Sequence, residues 1–498
     1  MGFHLAGRTC WHGLVEAFAG VLCMASTASG ADAPGGRPDA VTGWPGFRGP
    51  GRNGVAPADS RPPERFGPGT NEAWNVPVPT GHSSPVVVGD RVLLTGLEGG
   101  DLLTLALDAV TGRELWRRGV RPARLEEVHR TLGSPASATV ATDGSAVYVH
   151  FGSFGMISYT LDGAERWRRP MAITETEYGA SASPLVVGDV VVQLLDQDAG
   201  SHVVALRRWD GSVAWRAERP EMRRGFGSPV AWTHHGRTDV VLPGTIFMVG
   251  LDPADGSERW RVDGLARITC TTPVAVGDTL YSASWTTGGD RAADRIELSG
   301  FDEIVRANDR DGDGRLSYEE LPAGAARERR KHLDGNRDGH VDRAEWESMA
   351  AIFARVENQA WALRAGRDGT VTTAGVRWRY KRGLPYVASP LVHDGLFYMV
   401  KNGGFLTCLD AGNGEVRYRE ERLPAGGDYY ASPVLAAGRI YMASQGGVVT
   451  VAKAGPRFEV LGRVDMGEPI HASPVAEGDR LYVRTTGRLH AFGAGAAR

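Results

Sequence analysis

Asp309, Asp311 and Asp313 alternate along the run DRDGDGRLSYEE (309–320), with Gly314 next and Glu320 closing the run. A second run, DGNRDGHVDRAE (334–345), repeats the arrangement with Asp334, Asn336, Asp338, Gly339 and Glu345. Oxygen-bearing side chains at alternate positions, a glycine that permits a sharp turn and a closing carboxylate suit a hard divalent cation. Calcium takes about seven oxygens from a chain wrapped around it. The expected ligands of the first loop are Asp309, Asp311, Asp313, the carbonyl of Arg315, Ser317 directly or through water, and both oxygens of Glu320. Those of the second are Asp334, Asn336, Asp338, the carbonyl of His340, Asp342 and Glu345. His340 enters through its backbone, not its imidazole. The plain alternative is a pair of solvated acidic loops, and a tandem repetition of the full pattern leaves it little room.

Helices must hold such loops in place. Phe301, Ile304 and Val305 make an apolar stripe before the first loop, and Trp346, Met349, Ile352, Phe353 and Val356 make a longer one after the second. Leu316 and Val341 occupy the matching apolar positions through which paired loops meet. The segment LPAGAARERRKHL (321–333) carries Pro322 and Gly324, which predicts one short, irregular helix with little apolar face. The whole resembles an EF-hand pair with a compressed linker. That resemblance implies two calcium ions, and the compressed linker favours ions that order the segment over the alternative, a sensor that opens on binding.

The elements around this segment repeat about every 45 residues. A small residue and a proline lead into alternating apolar residues, a glycine turn, two more apolar runs and a closing aromatic. The starts fall at Pro85, Pro135, Pro184, Pro229, Pro273, Pro390, Pro433 and Pro474. The aromatics are Trp74, Trp116, Trp167, Trp215, Trp260, Trp378 and Tyr418, with a degraded place near Leu461. A recurrent tryptophan looks like a cofactor box, but its place on an outer strand predicts packing between repeats. Four strand-like runs per repeat cannot bury both faces alone, whereas a ring of such units leaves only short edges. The expected fold is all-β, an eight-bladed β-propeller of four-stranded blades. NEAWNVPV (71–78) precedes the first start and is expected to complete the last blade as its outer strand. The one long gap, from Pro273 to Pro390, places a small α-helical insertion of roughly 70 residues inside the fifth blade.

These repeats resemble the pyrroloquinoline-quinone-type propeller repeat shared by quinoprotein dehydrogenases and the outer-membrane-assembly propeller lipoprotein. WPGFRGPGRNGVA (44–56) resembles the leader of secreted bacterial propellers carrying that repeat. The resemblance implies the fold across nearly the whole chain and says little of function, because the repeated residues are structural ones. Quinoprotein dehydrogenases use an adjacent cysteine pair and a calcium at the propeller axis. Here Cys270 and Cys408 stand far apart, free to pair or to act as two core residues, and the calcium loops sit in the insertion. The quinone cofactor is therefore not expected.

The domain plan is a signal peptide over 1–33, a Pro/Gly-rich leader over 34–70, propeller over 71–285, the EF-hand insertion over 286–357 and propeller again over 358–493. His4, Arg8 and the apolar stretch LVEAFAGVLCMA (14–25), with small residues up to Ala33, predict export to the periplasm or beyond. A net charge of −3 with scattered basic residues argues against nucleic acid, and no stretch is long enough to span a membrane. The residues three before each proline start, His82, Ser181, Phe226, Cys270, Val387, Tyr430 and His471, are expected to line the funnel mouth. Arg224, Arg267, Tyr386 and Tyr429 are expected beside them. Such a ring suits a small anion or a polymer end, or is a polar rim around a wet channel. No Ser-His-Asp spacing, HExxH or phosphate loop stands out. The reading is an exported, monomeric, non-catalytic calcium-binding scaffold that meets a protein or polymer at one propeller face. A quinone-dependent oxidoreductase and a cell-envelope assembly adaptor are the alternatives.

Overall fold

Short apolar runs broken by glycine turns fold into antiparallel four-stranded sheets, and the chain makes eight of them. The computed structural model describes residues 41–287 and 296–493. The expected signal peptide therefore lies outside the described residues, as does part of the expected leader. In chain order the first seven blades span 86–120, 141–170, 185–218, 230–263, 274–380, 391–422 and 434–465. The eighth joins the three strands of 475–492 to the N-terminal strand Glu72–Pro77, which pairs antiparallel with Arg488–Phe492. The ring closes as the sequence predicts, on the outer strand of the last blade.

Each blade buries its middle strands on both faces and exposes its outer strand. Ala146–Phe151 is buried throughout, while Glu165–Pro170 is charged and exposed except at Trp167. Charge along an outer edge discourages pairing with another chain. The buried aromatic does the opposite job within the ring. Trp116 donates its indole N–H to Leu161 of the next blade at 2.8 Å, Trp167 to Arg208 at 3.0 Å and Trp215 to Pro253 at 2.9 Å, each to a backbone oxygen. A turn glycine lies flat beneath each indole. Gly163 has φ +80°, and a Cβ there would sit 2.6 Å from the Trp116 ring. The tryptophans thus pack blade against blade.

A second set of contacts closes the ring at its axis. Ser84 donates its backbone N–H to the Thr139 hydroxyl at 2.9 Å, Thr139 to Ser183 at 3.0 Å and Ser183 to Ser228 at 2.9 Å. The chain of bonds continues from Ser228 to Thr272 and from Thr272 to Ser389, each at 3.0 Å. It then runs from Ser389 to Ser432, from Ser432 to Ser473, and from Ser473 back to Ser84 at 3.1 Å. The second of these positions corrects the repeat start expected at Pro135. The ring needs a hydroxyl at the innermost point of each blade, and in the second blade that residue is Thr139, with Val140 where its counterparts have proline.

The leader seals one end of the axis. Arg48 is buried and donates to the backbone oxygens of Ser389, Pro390 and Asn53, while Arg52 reaches those of Pro184 and Pro229. Trp44 bridges to Val87, and Val55 to Leu435. The two arginines thus tie the leader to the third, fourth and sixth blades through carbonyls at or just after the axial hydroxyls.

Between the second and third strands of the fifth blade the chain leaves for the insertion. It forms helix α1 (Phe301–Asn308), two four-residue helices α2 (Ala325–Glu328) and α3 (Arg330–Leu333), and helix α4 (Arg343–Arg355). The single irregular helix expected over 321–333 is two, because Arg329 takes φ −110° and ψ 20° and turns the chain between them. That turn lets Ala326 and Leu333 both enter the apolar cluster that joins the insertion to the third and fourth blades. Helix α4 starts on a capping box, with Asp342 accepting from the Glu345 backbone and Glu345 accepting in return.

Candidate functional site

The axial hydroxyls form the lower tier of a cavity of about 490 Å³. Two residues earlier on each blade stands an upper tier: His82, Ser137, Ser181, Phe226, Cys270, Val387, Tyr430 and His471. All seven residues predicted from spacing line the cavity, and Ser137 completes the set. Phe47 of the leader reaches it as well. Glu328, Arg329 and His332 of the insertion also line it, so the linker between the two acidic loops forms its roof.

The walls mix rings with neutralised polar groups. His82 and His471 stack at 4.1 Å between centroids. Burial, with His471 and Arg484 nearby, brings the His82 imidazole down to about 3, and burial lowers His471 as well. The Cys270 thiol is pushed up to about 12 by burial, so it is neither a ready nucleophile nor a thiolate ligand. Cys270 and Cys408 are both free. Of the four neighbours expected at the mouth, Arg267 and Tyr386 line the cavity. Arg224 does not: it is held by Asp198 and by Glu177 at 2.7 Å. Tyr429 is buried, its hydroxyl donating to Ala425 at 2.9 Å.

An ion-pair latch joins roof to blades. Arg224 donates to His332 Nε2 at 2.6 Å, and Arg337 of the second loop donates to Asp198 at 2.6 Å. Burial beside Arg224, Arg267 and Arg329 drives the His332 imidazole down to about 2, so it serves as a neutral acceptor. Asp198 had no signal in the sequence. Its role arises only because a loop of the third blade meets the insertion.

In the first acidic loop Asp309, Asp311 and Asp313 bring carboxylate oxygens within 4.8 Å of one another. Asp309 accepts from the backbones of Gly312 at 2.7 Å and Gly314 at 3.0 Å, which wraps the loop around these oxygens. Glu320 turns inward, one oxygen accepting from Arg310 at 2.8 Å and the other from Ser317 at 2.9 Å. Those donors hold its carboxyl down at about 2. The second loop has the same plan. Asp334, fully buried, accepts from the Gly339 backbone and from the Tyr318 hydroxyl, and Glu345 accepts from Gly335, Asn336 and Asp342. Leu316 pairs with Val341 and Ser317 with His340, a two-residue ladder between the loops. Arg315 spans both loops, its side chain 3.2 Å from Asp338 and 3.3 Å from Asp313. This oxygen-only donor set, wrapped by glycine turns, suits a hard cation of calcium's size.

The family model described as outer membrane protein assembly factor BamB matches residues 69–198, 106–290 and 302–457. No curated protein matches the chain in sequence. Among solved structures, BamB from Moraxella catarrhalis is similar at a TM-score of 0.54 and 12% identity, covering 85% of this chain and 99% of that one. Quinohemoprotein alcohol dehydrogenase from Comamonas testosteroni is similar at 0.50 and 12%, covering 93% and 82%. The computationally designed Ika8 protein is similar at 0.52 and 9%, covering 85% and 99%. A designed protein and an enzyme share the architecture equally, so the likeness speaks for the fold alone. With its blades, its closing strand and a match over most of its length, the chain belongs to the BamB family of PQQ-repeat β-propellers.

Proposed function

We propose that this chain is an exported calcium-binding propeller that acts as a non-catalytic scaffold, with calcium ordering the insertion over the funnel mouth. The observation that carries this reading is the convergence of Asp309, Asp311 and Asp313 in a loop whose twelfth residue, Glu320, turns back toward them. Three carboxylates so close repel one another unless a cation offsets them. The ligands are Asp309, Asp311, Asp313, the Arg315 carbonyl, Ser317 and Glu320 in the first site. In the second they are Asp334, Asn336, Asp338, the His340 carbonyl, Asp342 and Glu345. The helices packed on the third and fourth blades leave the pair little freedom to open, which favours a structural ion over a signal. Calorimetric titration of the full chain is expected to show two calcium sites. Glu320→Gln and Glu345→Gln should each abolish one, and a flat titration of the wild type would refute the reading.

The family match favours a second reading, a cell-envelope assembly adaptor whose partners are proteins. Capture from envelope extracts with and without calcium separates the two. Recovery of outer-membrane assembly components irrespective of calcium supports the adaptor. Partners lost on chelation place the insertion in the scaffold's interface.

A further inference from the structure

Five arginines are buried among the described residues: Arg48, Arg219, Arg224, Arg267 and Arg484. A guanidinium taken out of water costs several kcal/mol unless acceptors replace its hydration. Four of the five have them. Arg48 donates to backbone oxygens, and Arg484 to those of Ser83 and Pro79 and to the Ser83 hydroxyl. Arg219 forks onto Asp196 at 2.7 and 3.0 Å, and Arg224 onto Asp198.

Arg267 is different. It is 8% exposed, and no oxygen among the described residues accepts from it; its Nε is buried without a partner. The Phe353 ring of α4 stands beside it, 5.7 Å from the guanidinium carbon to the centroid. The group lines the funnel cavity. Among the described residues the only carboxylate on that lining, Glu328, is 71% exposed and sits 3.2 Å from Arg329 at the roof. Burial and the nearby Arg329 and Arg224 bring Arg267 down to about 10, which still leaves it charged at neutral pH. The cavity thus holds an unsatisfied, forked cation at its wall. Tyr178, Phe226, Tyr386 and Tyr430 supply flat apolar surface around it, in a volume typical of small-molecule sites.

We propose that the funnel binds a small organic anion whose carboxylate or phosphate oxygens are taken by the Arg267 fork while its body lies against the tyrosine rings. A guanidinium offers parallel donors that match two oxygens of an acid, and for a group as buried as Arg267 such charge-assisted bonds are strong. The site goes beyond the scaffold reading, and Arg267 and the tyrosines that form it belong to the propeller rather than to the acidic loops. Both substrate-like acids and phosphorylated metabolites carry this chemistry, and two probes, benzoate and phenyl phosphate, distinguish them.

The test is calorimetric titration of the full chain with benzoate, phenyl phosphate and, as the neutral analogue of the same shape, benzyl alcohol. At least one of the two acids is expected to bind with one-to-one stoichiometry and at least tenfold more tightly than the alcohol. Arg267→Gln should weaken that acid at least tenfold. Failure of both acids to bind, parity between acid and alcohol, or unchanged affinity in Arg267→Gln would overturn the proposal. Should the variant fail to fold, the wild type decides. Saturating acid is expected to protect Arg267 from phenylglyoxal, read by peptide mass, and unprotected modification would equally overturn the site.

Discussion

Glu126 lies in the segment between the first and second blades, 4% exposed, with one carboxylate oxygen buried and unpartnered. Its other oxygen accepts only a long bond, 3.4 Å, from the Ala180 backbone. Burial pushes this carboxyl up from 4.5 to about 8. A carboxyl raised in the fold binds its proton more tightly there than in the unfolded chain, so its contribution is complete below about 4.5 and is lost as pH rises through about 8. Glu126→Gln keeps the shape and removes the titration. The variant should match the wild type near pH 4.5 and exceed it by roughly 4 kcal/mol at pH 8. Denaturant midpoints measured across that window check it, and parallel pH profiles would count against a buried, protonated Glu126. The unpartnered Arg267 is the cationic counterpart: both are charges whose cost becomes visible only when their neighbours are known.

At the scale of elements, the axial hydroxyls explain why each blade begins with a small residue. Ser228 accepts the Ser183 backbone N–H at 2.9 Å, and both residues are buried. Ser228→Ala leaves that buried amide without its partner, at a cost of about 1–3 kcal/mol. Ser228→Thr should restore most of it, because Thr139 and Thr272 fill equivalent places. Chemical denaturation of the two variants is the measurement, and an alanine variant as stable as the threonine one would remove the hydroxyls from the list of ring-closing contacts. The outer strands follow another logic. In the second and third blades their charges face solvent while one aromatic, Trp167 or Trp215, reaches the next blade, so the same six residues both block aggregation and hold the ring.

Across the whole molecule, the insertion is tied to the propeller by an apolar cluster and by polar pairs. Leu321, Leu333, Trp346 and Phe353 extend the apolar cluster of the third and fourth blades, while Arg337 pairs with Asp198, Arg355 with Asp263 and His332 with Arg224. The blades, by contrast, close on themselves through the outer strand of the eighth and the axial hydroxyls. Removing calcium should therefore loosen the insertion while the propeller persists, since local stability follows local contacts. Limited proteolysis with chelator is expected to cut first between 309 and 345, at least tenfold faster than with calcium, while the β-sheet circular dichroism stays constant. Equal cleavage in both conditions would mean that calcium does not order the roof.

The sequence by itself determined what is written in local spacing. The two acidic loops, their pairing positions Leu316 and Val341, the blade count, the closing strand and the seven funnel-lining residues were all legible, because each repeats at a fixed interval along the chain. Tertiary structure decided what depends on which distant segments meet. Thr139, not Pro135, holds the second blade's place because a ring bond from Ser84 selects a hydroxyl. Arg224 leaves the mouth because Asp198 and Glu177 draw it away, while Arg267 remains there with no acceptor among the described residues. The linker splits at Arg329 so that both halves reach the blades, and the leader's Arg48 and Arg52 seal the axis. Periodicity reports the neighbours along a strand; closing the ring brings together residues from 41 to 389 positions apart, and charge, burial and hydrogen bonding are set by those meetings.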